Sequence, residues 1–245
     1  MSSPLTSAQV AAFAERGWLA IERAASPDTL ARLQACCDAV LADPERLGFD
    51  PAAAARAAAQ GGAAASDLPG PVIHSTAEAA WLEWREDPLH RWAHEAAAAL
   101  LGAPVDYWFN QLLLKPPRVG GASFWHQDDG YLGAGDAPFL VSCWLALDPV
   151  DLESGCLRFV DGGHRQGIVR ALLPTPAGSP RLEWRPDPAR VVDCPLPAGG
   201  AVFHHGKAPH DAPPNRSPRW RRAFVQRFTL AGAPRPAAHT FDADA

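Results

Sequence analysis

Apolar residues in the first hundred positions recur with the 3.6-residue period of helices that bury one face. Val10, Phe13 and Ala14 follow Thr6-x-x-Gln9, which reads as a capping box, and Gly17 ends the run. Trp18 to Ile21 alternates like a short strand. Ser26-Pro27 reads as an N-cap with proline at the first helical position, opening a helix through Leu30, Leu33, Cys37 and Val40. A second helical stretch is predicted from Thr76 to Leu101, with Trp81, Trp84 and Trp92 as packing residues and a stop at Gly102-Ala103-Pro104. Residues 52–66 are rich in alanine and glycine with almost no large side chains, which predicts a mobile insertion.

Beyond Pro104 the period falls to two. Val105 to Leu114, Phe139 to Leu147, Cys156 to Val160, Arg190 to Val192, Ala201 to Phe203 and Arg222 to Leu230 read as strands between Gly/Pro turns. Helices followed by many short strands predict a mainly β fold with flanking helices, its core a double-stranded β-helix (jelly-roll, cupin-like). A single domain over 1–245 is expected, mainly helical over 1–104 and jelly-roll over 105–232. The sequence contains no internal repeat, GxGxxG, Walker loop or GxSxG elbow.

With 47% hydrophobic and 20% charged residues among 245, the chain has material for one sizeable core and is not disordered. A net charge of -5 argues against generic nucleic-acid binding. The five cysteines include one adjacent pair and no CxxC, which argues against a disulfide framework or a cysteine zinc site and predicts buried thiols in a reducing compartment. The N-terminus shows no basic and apolar leader, and no window approaches 18 uninterrupted apolar residues. A cytoplasmic, membrane-free protein of unknown oligomeric state is expected.

Candidate chemistry concentrates in two places. In Phe124-Trp125-His126-Gln127-Asp128-Asp129, strand alternation would project His126 and Asp128 to one side, with Gln127 and Asp129 opposite. An imidazole and a carboxylate on one face supply two cis ligands, and a third histidine would complete the facial triad of non-haem Fe(II) oxygenases. Asp129 is the competing carboxylate. The second cluster runs from Phe203 through His204, His205 and His210 to Arg221, with three histidines within seven residues. They need not all bind metal. An inward guanidinium at Arg221 would hold a carboxylate through two parallel charge-assisted hydrogen bonds, an anchor suited to a keto acid whose other end chelates the metal.

These motifs together resemble the phytanoyl-CoA dioxygenase family of Fe(II)/2-oxoglutarate-dependent oxygenases. Leu5-Thr6 to Gly17-Trp18-Leu19 and the helix after Ser26-Pro27 resemble its N-terminal helices. Trp125 to Asp128 resembles its HxD motif, Glu153 to Val160 running on to Gly163-His164-Arg165 its central glycine-rich segment, and Phe203 to Arg221 its distal His and Arg motif.

The resemblance implies Fe(II) bound by His126, Asp128 and His210, and 2-oxoglutarate bound by Arg221 with Trp144 and Gln127 beside it. It places Lys115 before the metal strand without a role, and His205 behind the ligands. The implied reaction uses O2 to hydroxylate an unactivated C–H bond of a small-molecule metabolite, with release of succinate and CO2. Asp128 occupies the position that related halogenases leave to Gly or Ala, so oxidation is expected over halogenation. Ala212 replaces a small hydroxyl residue often found after the distal His, and Asp161-Gly162-Gly163-His164 departs from the family turn. Arg158, Arg165, Lys207 and Arg216 allow an anionic substrate. The rival readings are a cupin-like metalloenzyme without 2-oxoglutarate, which would not need Arg221, and a non-catalytic binding protein of the same fold.

Overall fold

The computed structural model describes residues 4–43, 72–132, 140–169 and 184–233. The Ala/Gly-rich segment and the first position of the predicted Phe139 strand lie outside them. Among the described residues, ten strands form two antiparallel sheets. The larger has the order β1 (Trp18–Ile21), β8 (Ala201–His205), β5 (Leu140–Ala146), β10 (Arg221–Leu230), β3 (Val105–Lys115) and β2 (Ile73–Ser75). The smaller has the order β4 (Ser123–His126), β9 (His210–Ala212), β6 (Leu157–Val160) and β7 (Val191–Cys194).

Three helices cover the outer face of the larger sheet: α1 (Ser7–Arg16), α2 (Pro27–Leu41) and α3 (Pro88–Leu101). The predicted capping box on α1 is present, with the Gln9 amide N–H donating to Thr6 Oγ1 and Gln9 Oε1 accepting from the Thr6 amide. Gly17 ends the helix at φ 82, in the left-handed region. A side chain there would also run into the His164 ring.

The predicted continuous helix over Thr76–Leu101 is corrected. Ala77–Ala79 and Trp84–Glu86 are single 3-10 turns, and the helix begins only at Pro88, where Asp87 Oδ1 accepts from the Leu89 amide. Asp87-Pro88 is itself an N-cap followed by proline, so it starts a helix where the longer reading would run through.

Period-two alternation splits the core into two layers. Leu112, Leu114, Cys143, Leu145, Phe203, Phe224 and Phe228 face the helices. Trp18, Trp144, Ala146, Val202, Ala223 and Val225 face the smaller sheet, against Leu157 and Phe159. The jelly roll is therefore a two-sheet sandwich whose inner face is available to a site. The five cysteines are buried free thiols. No helix among the described residues is long and apolar enough to cross a membrane.

Candidate metal and cosubstrate site

His126 closes β4 and His210 opens β9, and these strands pair with the two residues directly opposite each other. Their ring centroids lie 4.1 Å apart. Each ring is oriented the same way: Nδ1 of His126 lies 2.7 Å from the Phe124 carbonyl, and Nδ1 of His210 lies 2.9 Å from the Ala208 carbonyl. A carbonyl can only accept, so Nδ1 carries the proton in both and Nε2 keeps the lone pair that could bind a metal.

Asp128 reaches the same point by a different route from the one its spacing implied. It does not continue β4 but starts a short helix, α4 (Asp128–Leu132). Its Oδ1 lies 3.7 Å from His126 Nε2 and 4.0 Å from His210 Nε2. The three residues offer ligand atoms that all lie within 4.8 Å of one another, a nitrogen–nitrogen–oxygen set that fits a divalent transition metal.

Burial holds His126 below the ordinary imidazole pKa and His210 well below it, so both stay neutral and able to ligate. Burial alone would raise the Asp128 carboxyl. Arg227, followed by the hydrogen bond from His204, holds it well below the usual carboxylate range.

Asp129 is not part of this group. It is buried against Gly206, and burial together with Asp128 pushes its carboxyl up to about 8.

Arg221 starts β10, 2% exposed, with Nε and Nη1 lacking any hydrogen-bond partner among the described residues. Burial lowers its pKa to about 10, so it remains a cation at neutral pH. Its guanidinium carbon lies 5.6 Å from the Trp144 ring centroid. Arg222, on the other face as strand alternation requires of a neighbour, is neutralised by Asp148 through bonds of 3.0 and 2.8 Å. Lys115, opposite Arg221 in the ladder, is fully buried and donates to the carbonyls of Ala212 and Pro213, both at 2.9 Å.

Gln127 is placed elsewhere. Its Nε2 donates to the carbonyls of Gly167 and Lys207, and its Oε1 accepts from the Val169 amide. Both amide hydrogens are spent on loop backbone.

Of the two adjacent histidines, His204 and not His205 stands beside Asp128. His204 Nε2 lies 3.2 Å from Asp128 Oδ2, whereas His205 faces outward among Phe13 and His164. The signal was alternation in β8, since Val202 and His204 share the inner face while Phe203 and His205 share the outer one.

Three of the four basic residues read as substrate contacts are engaged elsewhere. Arg158 forms a two-pronged pair with Asp211, Arg165 donates to the Glu15 carbonyl at the end of α1, and Arg216 donates to the Arg118 carbonyl at 3.4 Å. His164 likewise meets the Ala14 carbonyl at 3.2 Å, so the turn carrying it caps α1.

The phytanoyl-CoA dioxygenase family model matches residues 13–223. Phytanoyl-CoA dioxygenase domain-containing protein 1 from Bos taurus is 34% identical over 119 residues, which are 46% of this chain and 41% of that protein. The match thus spans less than half the length of that curated relative. Among solved structures, EvdO2 from Micromonospora carbonacea var. aurantiaca, complexed with 2-oxoglutarate, superposes with a TM-score of 0.72 at 27% identity over 95% of both chains. SnoK, a non-heme alpha-ketoglutarate-dependent carbocyclase from nogalamycin biosynthesis, gives a TM-score of 0.70 at 25% identity over 97% of this chain and 90% of its own. A family match over most of the chain, joined to this jelly roll and this residue cluster, identifies the chain as a member of the phytanoyl-CoA dioxygenase family.

Proposed function

We propose that this protein is a non-haem Fe(II)/2-oxoglutarate-dependent dioxygenase that hydroxylates an unactivated C–H bond of a small molecule, releasing succinate and CO2. His126 Nε2, His210 Nε2 and Asp128 Oδ1 would hold the iron, and Arg221 would hold the far carboxylate of 2-oxoglutarate. Iron bound there supplies the activation of O2, the chemistry that side chains cannot perform. The chain's own residues fix the ligand geometry, keep both imidazoles neutral, and anchor the cosubstrate by charge.

One observation carries the reading. Neighbouring inward positions of β5 join the two ends of the site: Ser142 donates to Asp128 at 2.7 Å, and Trp144 faces Arg221. Two residues of strand advance by roughly 6.8 Å, a separation suited to a dicarboxylate chelated at one end and paired with a guanidinium at the other. A buried arginine whose donors are unused needs an anion. A cupin-like enzyme without 2-oxoglutarate gives Arg221 no such task.

The test is anaerobic titration of the apo-protein with Fe(II) and then 2-oxoglutarate, monitoring the visible charge-transfer band of the chelate. The band is expected in the wild type and absent in His210→Ala and Arg221→Ala. Iron uptake without a band would favour the cupin-like reading, and no iron uptake would point to a non-catalytic binding protein.

A further inference from the structure

A polar row crosses the inner face of the larger sheet beneath Asp128. Antiparallel register sets Phe109 opposite Arg227, Arg227 opposite Ser142, Ser142 opposite His204, and His204 opposite Trp18. The three middle members converge on one oxygen. Asp128 Oδ2 accepts from Ser142 Oγ at 2.7 Å and lies 3.2 Å from His204 Nε2 and 3.7 Å from Arg227 Nε. The other oxygen, Oδ1, is the one that faces His126 and His210.

Each member of the row is itself fixed. Ser142 is fully buried within β5. His204 lies with its ring centroid 5.7 Å from Phe159. Arg227 donates from Nη1 to Gln111 Oε1 at 2.6 Å and lies over the Phe109 ring at 4.8 Å. His204 is not a fourth ligand, because it stands outside the group whose ligand atoms lie within 4.8 Å of one another.

We infer that Ser142, His204 and Arg227 are positioning residues that hold Asp128 as a one-oxygen ligand, with Oδ1 toward the metal and Oδ2 engaged by the sheet. The inference rests on the reading of His126, Asp128 and His210 as the ligand set. A carboxylate free to rotate would bind through both oxygens and occupy one of the positions that a facial triad leaves open. Rotation here would break the Ser142 hydrogen bond and part the carboxylate from a buried imidazole and a buried guanidinium, which is costly in a dry interior. The two donors and the nearby guanidinium therefore act on coordination number as well as on affinity.

Co(II) serves as the probe, since its visible d–d bands report coordination number without turnover. Wild type, Ser142→Ala, His204→Phe and His204→Gln are titrated with Co(II), and the thermal unfolding of each apo-protein is recorded. Ser142→Ala and His204→Phe are expected to weaken Co(II) binding by about 10- to 100-fold and to change the d–d spectrum. His204→Gln, whose amide N–H can stand where the imidazole N–H stands, is expected to restore most of both. Wild-type affinity and spectrum in both Ser142→Ala and His204→Phe would overturn the inference, as would a glutamine variant no better than phenylalanine. Should His204→Phe fail to fold, Ser142→Ala, which removes only a hydroxyl, decides. A wild type that takes up no Co(II) would instead overturn the ligand set itself.

Discussion

The guanidinium of Arg221 sits 5.6 Å from the ring of Trp144, buried, with two of its nitrogens donating to nothing among the described residues. Such a cation lowers the stability of the empty protein and is compensated only when an anion arrives. Arg221→Met is therefore expected to leave the apo-protein no less stable than wild type. It is also expected to abolish stabilisation by 2-oxoglutarate, which for a single site at hundredfold excess over Kd is about 2.7 kcal/mol. Thermal unfolding of the apo-proteins, and of the metal-loaded proteins with and without the keto acid, measures both. A variant that loses apo stability and keeps the 2-oxoglutarate shift would assign Arg221 a structural part.

Trp144 supplies the ring beside that cation and packs with 4% exposure in the inner layer. Trp144→Phe keeps an aromatic face but reduces it, so 2-oxoglutarate binding is expected to weaken by roughly 0.5–1 kcal/mol, the scale of one cation–π contact. Equilibrium titration with the keto acid would show this as a several-fold rise in Kd. An unchanged Kd would mean that Trp144 serves packing alone.

Gln127 predicts the opposite separation. Its side chain ties Gly167 and Val169 to Lys207 through three hydrogen bonds to backbone. Gln127→Ala is expected to cost about 2–3 kcal/mol of stability, at roughly 1 kcal/mol per bond, and to leave the affinity of the folded protein for 2-oxoglutarate unchanged. Denaturant unfolding and cosubstrate titration on the same variant test the two halves independently. Weakened cosubstrate binding at full stability would return Gln127 to the cosubstrate.

His205 makes stability depend on pH. Burial, followed by the neighbouring charges of His164, Lys207 and His204, lowers its pKa from 6.5 to about 4. Between those values the unfolded chain takes up a proton that the folded chain refuses, so stability held above pH 6.5 is lost as pH falls toward 4. His205→Asn can keep an acceptor for the Lys207 amide while removing the titration. Urea unfolding at about pH 7.5 and about pH 5 should show a smaller loss in the variant than in wild type. Equal losses would place the acid sensitivity on other groups.

Much of the fold was legible because local rules acted without competition. Thr6 and Gln9 close the capping box, Ser26-Pro27 opens α2, and Gly17 ends α1 where the spacing predicted. The error at Thr76–Leu101 came from extending a period through Asp87-Pro88, a start signal in its own right. His126, Asp128 and His210, singled out by residue type, do converge, although alternation gave the wrong reason for Asp128, which is carried by a helix. His204 and Arg227 were missed as partners of Asp128. Their roles depend on which strands become neighbours and in which register, and β8, β5 and β10 are neighbours only in the folded sheet.

The pairing of His126 with His210 also has a consequence for how the protein is made. The two residues are 84 positions apart, and β4 and β9 meet only after the whole intervening chain has been synthesised. With His126, Asp128 and His210 as ligands, a nascent chain that has not yet delivered β9 offers two donors and no enclosed site. The three donors are therefore brought together late, only once this non-local strand pairing has closed. On that ligand set, a translation product that stops short of residue 210 lacks both the third ligand and the strand that would enclose the site.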